Sequence, residues 1–278
     1  MRPLSEWSVA ERLGIKGVFT DIDDTLTTQG AITPDALRAL ADLKAAGLTV
    51  IPITGRPIGW CAPFAQGDAE SGIAPWAVDA FVAENGGAAF VPQAVSPNTL
   101  SQKIYPQDAA TRADNHQRMQ AVAARVLAQV PGVQLSRDSV GRETDLAFDH
   151  SEFAHLSEMQ IAQVIDILQD AGMQTTVSSI HIHGCFGHFS KWEGARWIVQ
   201  SLFGRDLSLE LDQWMFVGDS GNDQSMFEHF TRSVGVANIH HVAEQLIFLP
   251  RFVTRSERSA GFAEVAAAIL AVRQRPSP

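Results

Sequence analysis

The chain has 278 residues, 45% of them hydrophobic, and a formal net charge of −10. That length supports a large core and two domains, and the hydrophobic share is ordinary for a globular protein. An acidic surface repels a phosphate backbone, which argues against general nucleic-acid binding. At the N-terminus, "MRPLSEWSVAERLGIK" lacks the apolar run of a signal peptide. No stretch of about 18 apolar residues follows that would span a bilayer, so a cytoplasmic protein with no membrane partner is expected.

"GVFT" (17–20) reads as a buried strand. "TPDALRALADLKAAG" then reads as a helix, with Thr33 as N-cap, Pro34 at the first position, Gly47 as the stop, and Leu37, Leu40 and Leu43 or Lys44 in helical period. "LTVIPIT" (48–54) and "DAFVAEN" (79–85) are the next two strands. From about 88 to 186 the pattern is strand, long helix, strand, long helix, strand. The helix near 110–130 carries Met119, Val122, Val126 and Val130. The helix near 152–171 carries Phe153, Leu156, Val164 and Ile167 or Leu168. "RETDLAFD" and "SSIHIHGCF" alternate with period two, as half-exposed strands do. Beyond them, "KWEGARWIVQSLFG" is a helix and "WMFVGD" (214–219) a strand. A helix with Met226, Phe227 and Phe230 follows, then the short strands "RSVGVAN" and "RFVT", a closing helix "GFAEVAAAILAV" and a frayed tail "RQRPSP". Strands alternating with helices predict a doubly wound, Rossmann-like parallel α/β core built from 1–87 and 187–278. An α+β cap with an antiparallel sheet is predicted for 88–186.

Ligands of an open parallel sheet collect beyond the carboxyl ends of its strands. Four polar stretches sit at or near such ends: Asp21-Ile-Asp23-Asp24-Thr25, Thr54-Gly55-Arg56, Lys191, and "GDSGND" (218–223). Asp21, Asp23 and Asp219 can face one small volume, where their repulsion calls for a cation, and all-oxygen ligation favours Mg²⁺. A hydroxyl at Thr54 and an ammonium at Lys191 beside such a cluster suit a phosphoryl group. Asp21 can then attack phosphorus, and Asp23 can protonate the leaving oxygen and later deprotonate water.

The motifs "DIDDTLT", "TGR", a lone Lys before a helix and "GDSGND", in this order, resemble those of the haloacid dehalogenase-like hydrolases. The pattern is similar to the branch with a large α/β cap after the second motif, which includes Cof-type sugar phosphatases, sucrose-phosphate phosphatases and mannosyl-phosphoglycerate phosphatases. "ENGG" (84–87) resembles the junction before that cap, and "VGVAN" and the segment after it the closing part of the core. The resemblance spans roughly 17–87 and 187–270.

It implies Asp21 as nucleophile, Asp23 as acid/base and Lys191 as the third catalytic residue. Thr54, with Gly55 and Arg56 beside it, Lys191 and Asn222 are the implied substrate-binding residues. The implied metal site is Asp21, Asp23 through its main-chain carbonyl, Asp219 and Asp223, and Asp223 also steadies Lys191. Two positions depart from the family pattern: Asp24 stands where Gly is usual, and Trp192 and Glu193 separate Lys191 from Gly194.

The implied activity is Mg²⁺-dependent hydrolysis of a small phosphorylated metabolite, a sugar phosphate, through a phosphoaspartate. The alternatives are a sugar phosphomutase using the same aspartyl chemistry, or a silent binding protein on the same fold. Each motif alone also reads as a strand-ending turn, and an EF-hand fails because a strand precedes the acids and the later Gly and Glu are missing. His181 and His183 share one strand face, and with no third ligand in view they are expected to meet substrate or solvent rather than zinc. Arg142, Glu143 and His188 read as surface residues or specificity candidates, and Cys61 and Cys185 as packing residues. Oligomeric state is not legible.

Overall fold

Val18 and Phe19 are neighbours in the strand Gly17–Thr20, yet they belong to two separate hydrophobic clusters. Successive side chains of a strand point to opposite faces, so a strand buried on both faces sits at the centre of three layers. The structure, a computed structural model, describes residues 1–93, 96–178 and 180–273; the tail 274–278, read as frayed, lies outside the described residues.

Six parallel strands lie in the order Arg2–Pro3, Phe252–Val253, Ser233–Gly235, Trp214–Gly218, Gly17–Thr20 and Thr49–Pro52. A parallel bridge from Ile53 to Val82 adds Phe81–Ala83 beyond the last of them. The order reverses between Gly17–Thr20 and Trp214–Gly218, and the crevice at that switch point is where an open α/β sheet binds its ligand. On one face pack the helices Pro34–Ala45, Ile58–Gln66 and Arg258–Arg273, against Val18, Val50 and Met215. On the other pack Lys191–Phe203 and Gln224–His229, against Phe19, Ile51 and Phe216. Thr33 caps Pro34–Ala45 as expected, accepting from the Ala36 N–H at 3.3 Å. Its buried stripe runs through Ala36, Ala39, Leu40 and Leu43 and leaves Leu37 exposed, one position off the expected period. Among the described residues no helix is long and apolar enough to cross a membrane.

The cap sheet is antiparallel, in the order Gln174–Val177, His181–Cys185, Asp145–Asp149, Gln134–Leu135. The helices Ala109–Gln129 and Glu158–Asp170 cover one of its faces, over Leu146, Phe148 and Ile182. Three features differ from the sequence pattern. Ala88–Gln93 and Ser96–Ile104 form a hairpin that pairs with Phe81–Ala83, and Ala89, Phe90 and Leu100 join the core clusters, so the hairpin packs with the core and not with the cap sheet. The second cap helix starts at Glu158, because the Asp149 carboxylate accepts from the N–H groups of Glu152, Phe153 and Ala154 and holds them in a turn; Phe153 is left 51% exposed. Asp145–Asp149 and His181–Cys185 are buried on both faces, not one, because their polar face closes onto the core.

Candidate active site

The central strand ends at Thr20, and the chain turns so that Ile22 accepts from the N–H groups of Thr25, Leu26 and Thr27. This tight loop aims Asp21 into the crevice. Asp24 holds a left-handed φ of 54°, a conformation open to Gly and tolerated by Asp, which accounts for the Gly usual at this position. Its carboxylate points away from the crevice to Arg258 Nε at 2.8 Å. Two strands' breadth of sheet brings in the rest. Thr54 follows one flanking strand, and Asp219 follows the other. Lys191 opens the helix beneath them, after Ser190, whose hydroxyl caps it by accepting from Glu193 N–H.

Lys191, 1% exposed, donates to Asp21 Oδ1 at 2.5 Å and to Asp223 Oδ1 at 2.6 Å. Burial opposes its charge, but Asp21 and then Asp223 outweigh this and hold its pKa above the usual lysine value. Burial pushes Asp21 up to about 7, against the pull of Lys191, with Asp223 and Asp23 adding to the rise. Asp223 Oδ2 accepts from the N–H groups of Asp219 and Ser220 at 2.8 and 3.0 Å, which pins the turn that presents Asp219. Asp219 itself accepts from Thr25 Oγ1 at 3.1 Å and Asn238 Nδ2 at 2.8 Å, both neutral donors. Burial, then Asp21, Asp223 and Asp24, raise its pKa well above the carboxylate range. Oxygens of Asp21, Asp219 and Asp223 lie within 4.8 Å of one another. Three buried carboxylates face one ammonium, an imbalance that a hard divalent cation would offset, so the residues present fit such an ion.

Asp23 sits differently. Both its oxygens lie in the fork of Arg56, with Nε at 2.9 Å and Nη2 at 3.0 Å. The same guanidinium reaches two cap residues at 3.2 Å, Asp138 through Nη1 and Glu152 through Nη2. Arg56 is thus engaged by carboxylates, and its carbon lies 5.3 Å from the centre of the Trp60 ring. Thr54 is buried, its hydroxyl accepting from Arg56 N–H at 3.0 Å. Asn222 reaches Asn85 Oδ1 at 3.2 Å and accepts from Ser220 Oγ at 2.8 Å. Asp21, Asp23, Thr54, Gly55, Arg56, His183 and Asn222 all line one enclosed cavity of about 10 Å³, room for roughly one water.

Arg142 is not a surface residue: it is buried, donating to Asp145 at 2.8 and 3.1 Å and across the domain seam to Gly55 O at 2.9 Å. His181 and His183 face the cavity and not solvent, the first 3.0 Å from Glu152 and the second 3.0 Å from Asp145. Asp138, Asp145, Glu152 and Asn238 carry contacts that the motifs do not announce. The alternation of "DLAFD" did hold a signal, since it puts Asp145 and Asp149 on the face opposite Leu146 and Phe148. Glu84, also unforeseen, is buried with φ 51° and accepts from Ile58 N–H and from the cap's Glu143 and Thr144 N–H groups.

A family model described as haloacid dehalogenase-like hydrolase matches residues 18–129, and one described as sucrose-6F-phosphate phosphohydrolase matches 190–264. The two matches fall in both halves of the chain and make it similar to the haloacid dehalogenase-like hydrolases, a class of enzymes. Among curated proteins, none matches it. The crystal structure of Thermoplasma acidophilum 0175 is similar with a TM-score of 0.66 at 16% identity, over 92% of this chain and 98% of that one. The sucrose-phosphatase of Synechocystis, in complex with sucrose and phosphate, is similar with a TM-score of 0.62 at 16% identity, over 91% and 97%. The C-terminal domain of C. albicans trehalose-6-phosphate phosphatase gives 0.62 at 13% identity, over 95% of each chain. These likenesses establish a shared fold of parallel core and cap.

Proposed function

We propose that this protein hydrolyses a small phosphomonoester, a sugar phosphate, through a phosphoaspartate on Asp21, with Mg²⁺ as its cation. The observation that carries this reading is the contact of Lys191 with both Asp21 and Asp223, which gathers three distant chain segments around one buried charge cluster. Asp21 attacks phosphorus, the bond to the leaving oxygen breaks, and Asp23 passes a proton to that oxygen. Asp23 then takes a proton from water as it attacks the phosphoaspartate, which releases inorganic phosphate and restores Asp21. Thr54 and Lys191 donate to the phosphoryl oxygens, and Asn222 orients the group from the far side. Asp21, Asp219 and Asp223 would hold the cation, with the main-chain carbonyl of Asp23. When bound, the ion offsets carboxylate and phosphoryl charge.

The closed cavity is too small for any phosphoester, and both oxygens of Asp23 are occupied by Arg56. Opening of the cap enlarges the cavity and parts Arg56 from Asp138 and Glu152, and Asp23, which like Arg56 belongs to the core, is freed when that guanidinium turns to the incoming ester. Reclosure over the ester then excludes water from the reacting groups. The sugar class draws support from what the relatives' names say, sucrose phosphate and trehalose 6-phosphate.

Phosphate release from a panel of sugar phosphates and p-nitrophenyl phosphate tests this reading. Release with Mg²⁺, lost on chelation and restored better by Mg²⁺ than by Ca²⁺, supports it. No release from any ester with Mg²⁺ present removes it.

A further inference from the structure

His183 lies on the cap strand His181–Cys185, is 3% exposed, and shares the cavity with Asp21, Thr54 and Gly55. Its Nδ1 is 3.0 Å from Asp145 Oδ2. Arg142 Nη1 lies 2.8 Å from Oδ1 and 3.1 Å from Oδ2 of the same carboxylate. A carboxylate held against a guanidinium is an acceptor, so the proton belongs on Nδ1 and the lone pair on Nε2. That Nε2 is turned toward the core, since a Cβ built on Gly55 would fall 3.0 Å from it. Among the described residues no hydrogen bond reaches Nε2. Burial, followed by Arg142 and His181, holds the imidazole well below its ordinary pKa, in keeping with a neutral ring.

Nε2 opens on the cavity as an oriented acceptor with no donor from the described residues, so a ligand that displaces water from it must bring a donor of its own. A phosphoryl group does not supply it. Its oxygens are acceptors, and Thr54 and Lys191 already stand ready to donate to them. A hydroxyl does supply it. Gly55 lets the loop and the imidazole approach closely at the cavity wall, where a Cβ would crowd Nε2 and would also meet Asn85 Nδ2 at 3.3 Å. Arg142 sets the register, because the guanidinium that holds Asp145 also donates to Gly55 O across the seam at 2.9 Å. Cap closure therefore returns His183 to a set place over the second motif.

We propose that His183 Nε2 accepts a hydrogen bond from a hydroxyl on the substrate's leaving group, so that His183 selects polyol phosphates over plain alkyl phosphates. This deepens the phosphatase reading above and rests on it. Asp145 and Arg142 are positioning residues that fix the tautomer and the ring.

The test measures kcat/KM for phosphate release, with Mg²⁺, from triose and hexose polyol phosphates. Each is paired with the n-alkyl phosphate of the same carbon number. An unpaired buried acceptor costs the alkyl ester roughly 10- to 100-fold relative to its polyol partner. In His183→Leu that ratio falls to within about threefold of unity, and His183→Gln, whose side-chain carbonyl still accepts, recovers part of it. A wild-type ratio near one overturns the proposal, whether or not the variants fold. So does a wild-type preference that a folded His183→Leu leaves intact, or cleavage of the alkyl esters alone. Wild-type protein that cleaves neither kind of ester removes the phosphatase reading itself, and this proposal with it.

Discussion

Gly194 and Gly86 meet backbone to backbone: a Cβ added at Gly194 would fall 2.6 Å from Gly86 Cα. This contact seats the first turn of the helix Lys191–Phe203 against the turn that follows Phe81–Ala83. It lets Lys191 reach Asp21 although the glycine comes three residues after the lysine. Gly194→Ala should therefore destabilise the core by about 1–3 kcal/mol. It should also displace Lys191, and a shift of about 1 Å costs on the order of 100-fold in rate. Urea denaturation and phosphate release check the two effects; an unchanged midpoint together with an unchanged rate would mean the contact does not position Lys191.

Arg56 grips Asp23 through two parallel bonds and two cap carboxylates through others. Lysine keeps the charge but cannot form the fork. Arg56→Lys is expected to lower kcat/KM by about 10-fold or more, mainly through KM, because cap closure loses its clasp. A change confined to kcat would place Arg56 in the proton transfer alone.

Glu84 carries a pH signature. Burial and then Asp145 raise its pKa from 4.5 to about 7, against the pull of its donors Ile58 and Thr144 and of Arg142. Between those values the folded protein binds more protons at this site than the unfolded chain, so stability falls as pH rises from about 4.5 through 7. The size is on the order of 3 kcal/mol. Asp145, raised to about 6 by burial, acts in the same direction. Glu84→Gln should remove its share of the slope, and should cost about 2–3 kcal/mol near neutral pH by turning an NH₂ toward the donors of Glu143 and Thr144. Denaturation midpoints of both proteins from pH 4.5 to 8 test this; parallel curves would contradict it.

Asp24 separates backbone from side-chain effects. Its pair with Arg258 is partly exposed and worth at most about 1 kcal/mol. Its φ of 54° suits glycine but strains a β-branched residue by about 1–3 kcal/mol. Asp24→Gly should thus stay close to wild type in stability, while Asp24→Val should lose clearly more and slow turnover by tilting Asp23. Equal losses would show that the ion pair, not the turn, matters at this position.

The core was readable because its information is local. Strand-to-helix alternation and the four motifs need only neighbouring residues, and Asp21, Thr54, Lys191, Asn222 and Asp219 do share the crevice. What escaped depends on closure between the domains. The sequence leaves Arg142 between surface and specificity and His183 between substrate and solvent, and only the landing of the sheet's polar face on Gly55 buries both. The hairpin 88–104 carries strand periodicity that says nothing about which sheet it joins, and its pairing with Phe81–Ala83 is a tertiary fact. Phe153 kept helical spacing, but the Asp149 carboxylate satisfies three backbone N–H groups there and keeps the chain in a turn.

The central claim is that Asp21 forms a bond to phosphorus. A single turnover of radiolabelled substrate, quenched in acid and mapped by proteolysis, reads it directly. The account predicts label on the peptide carrying Asp21 in wild-type protein. In Asp21→Asn it predicts no label and turnover reduced by about 10³-fold or more in a folded protein. Appreciable hydrolysis by Asp21→Asn, or label mapped to another residue, would contradict it.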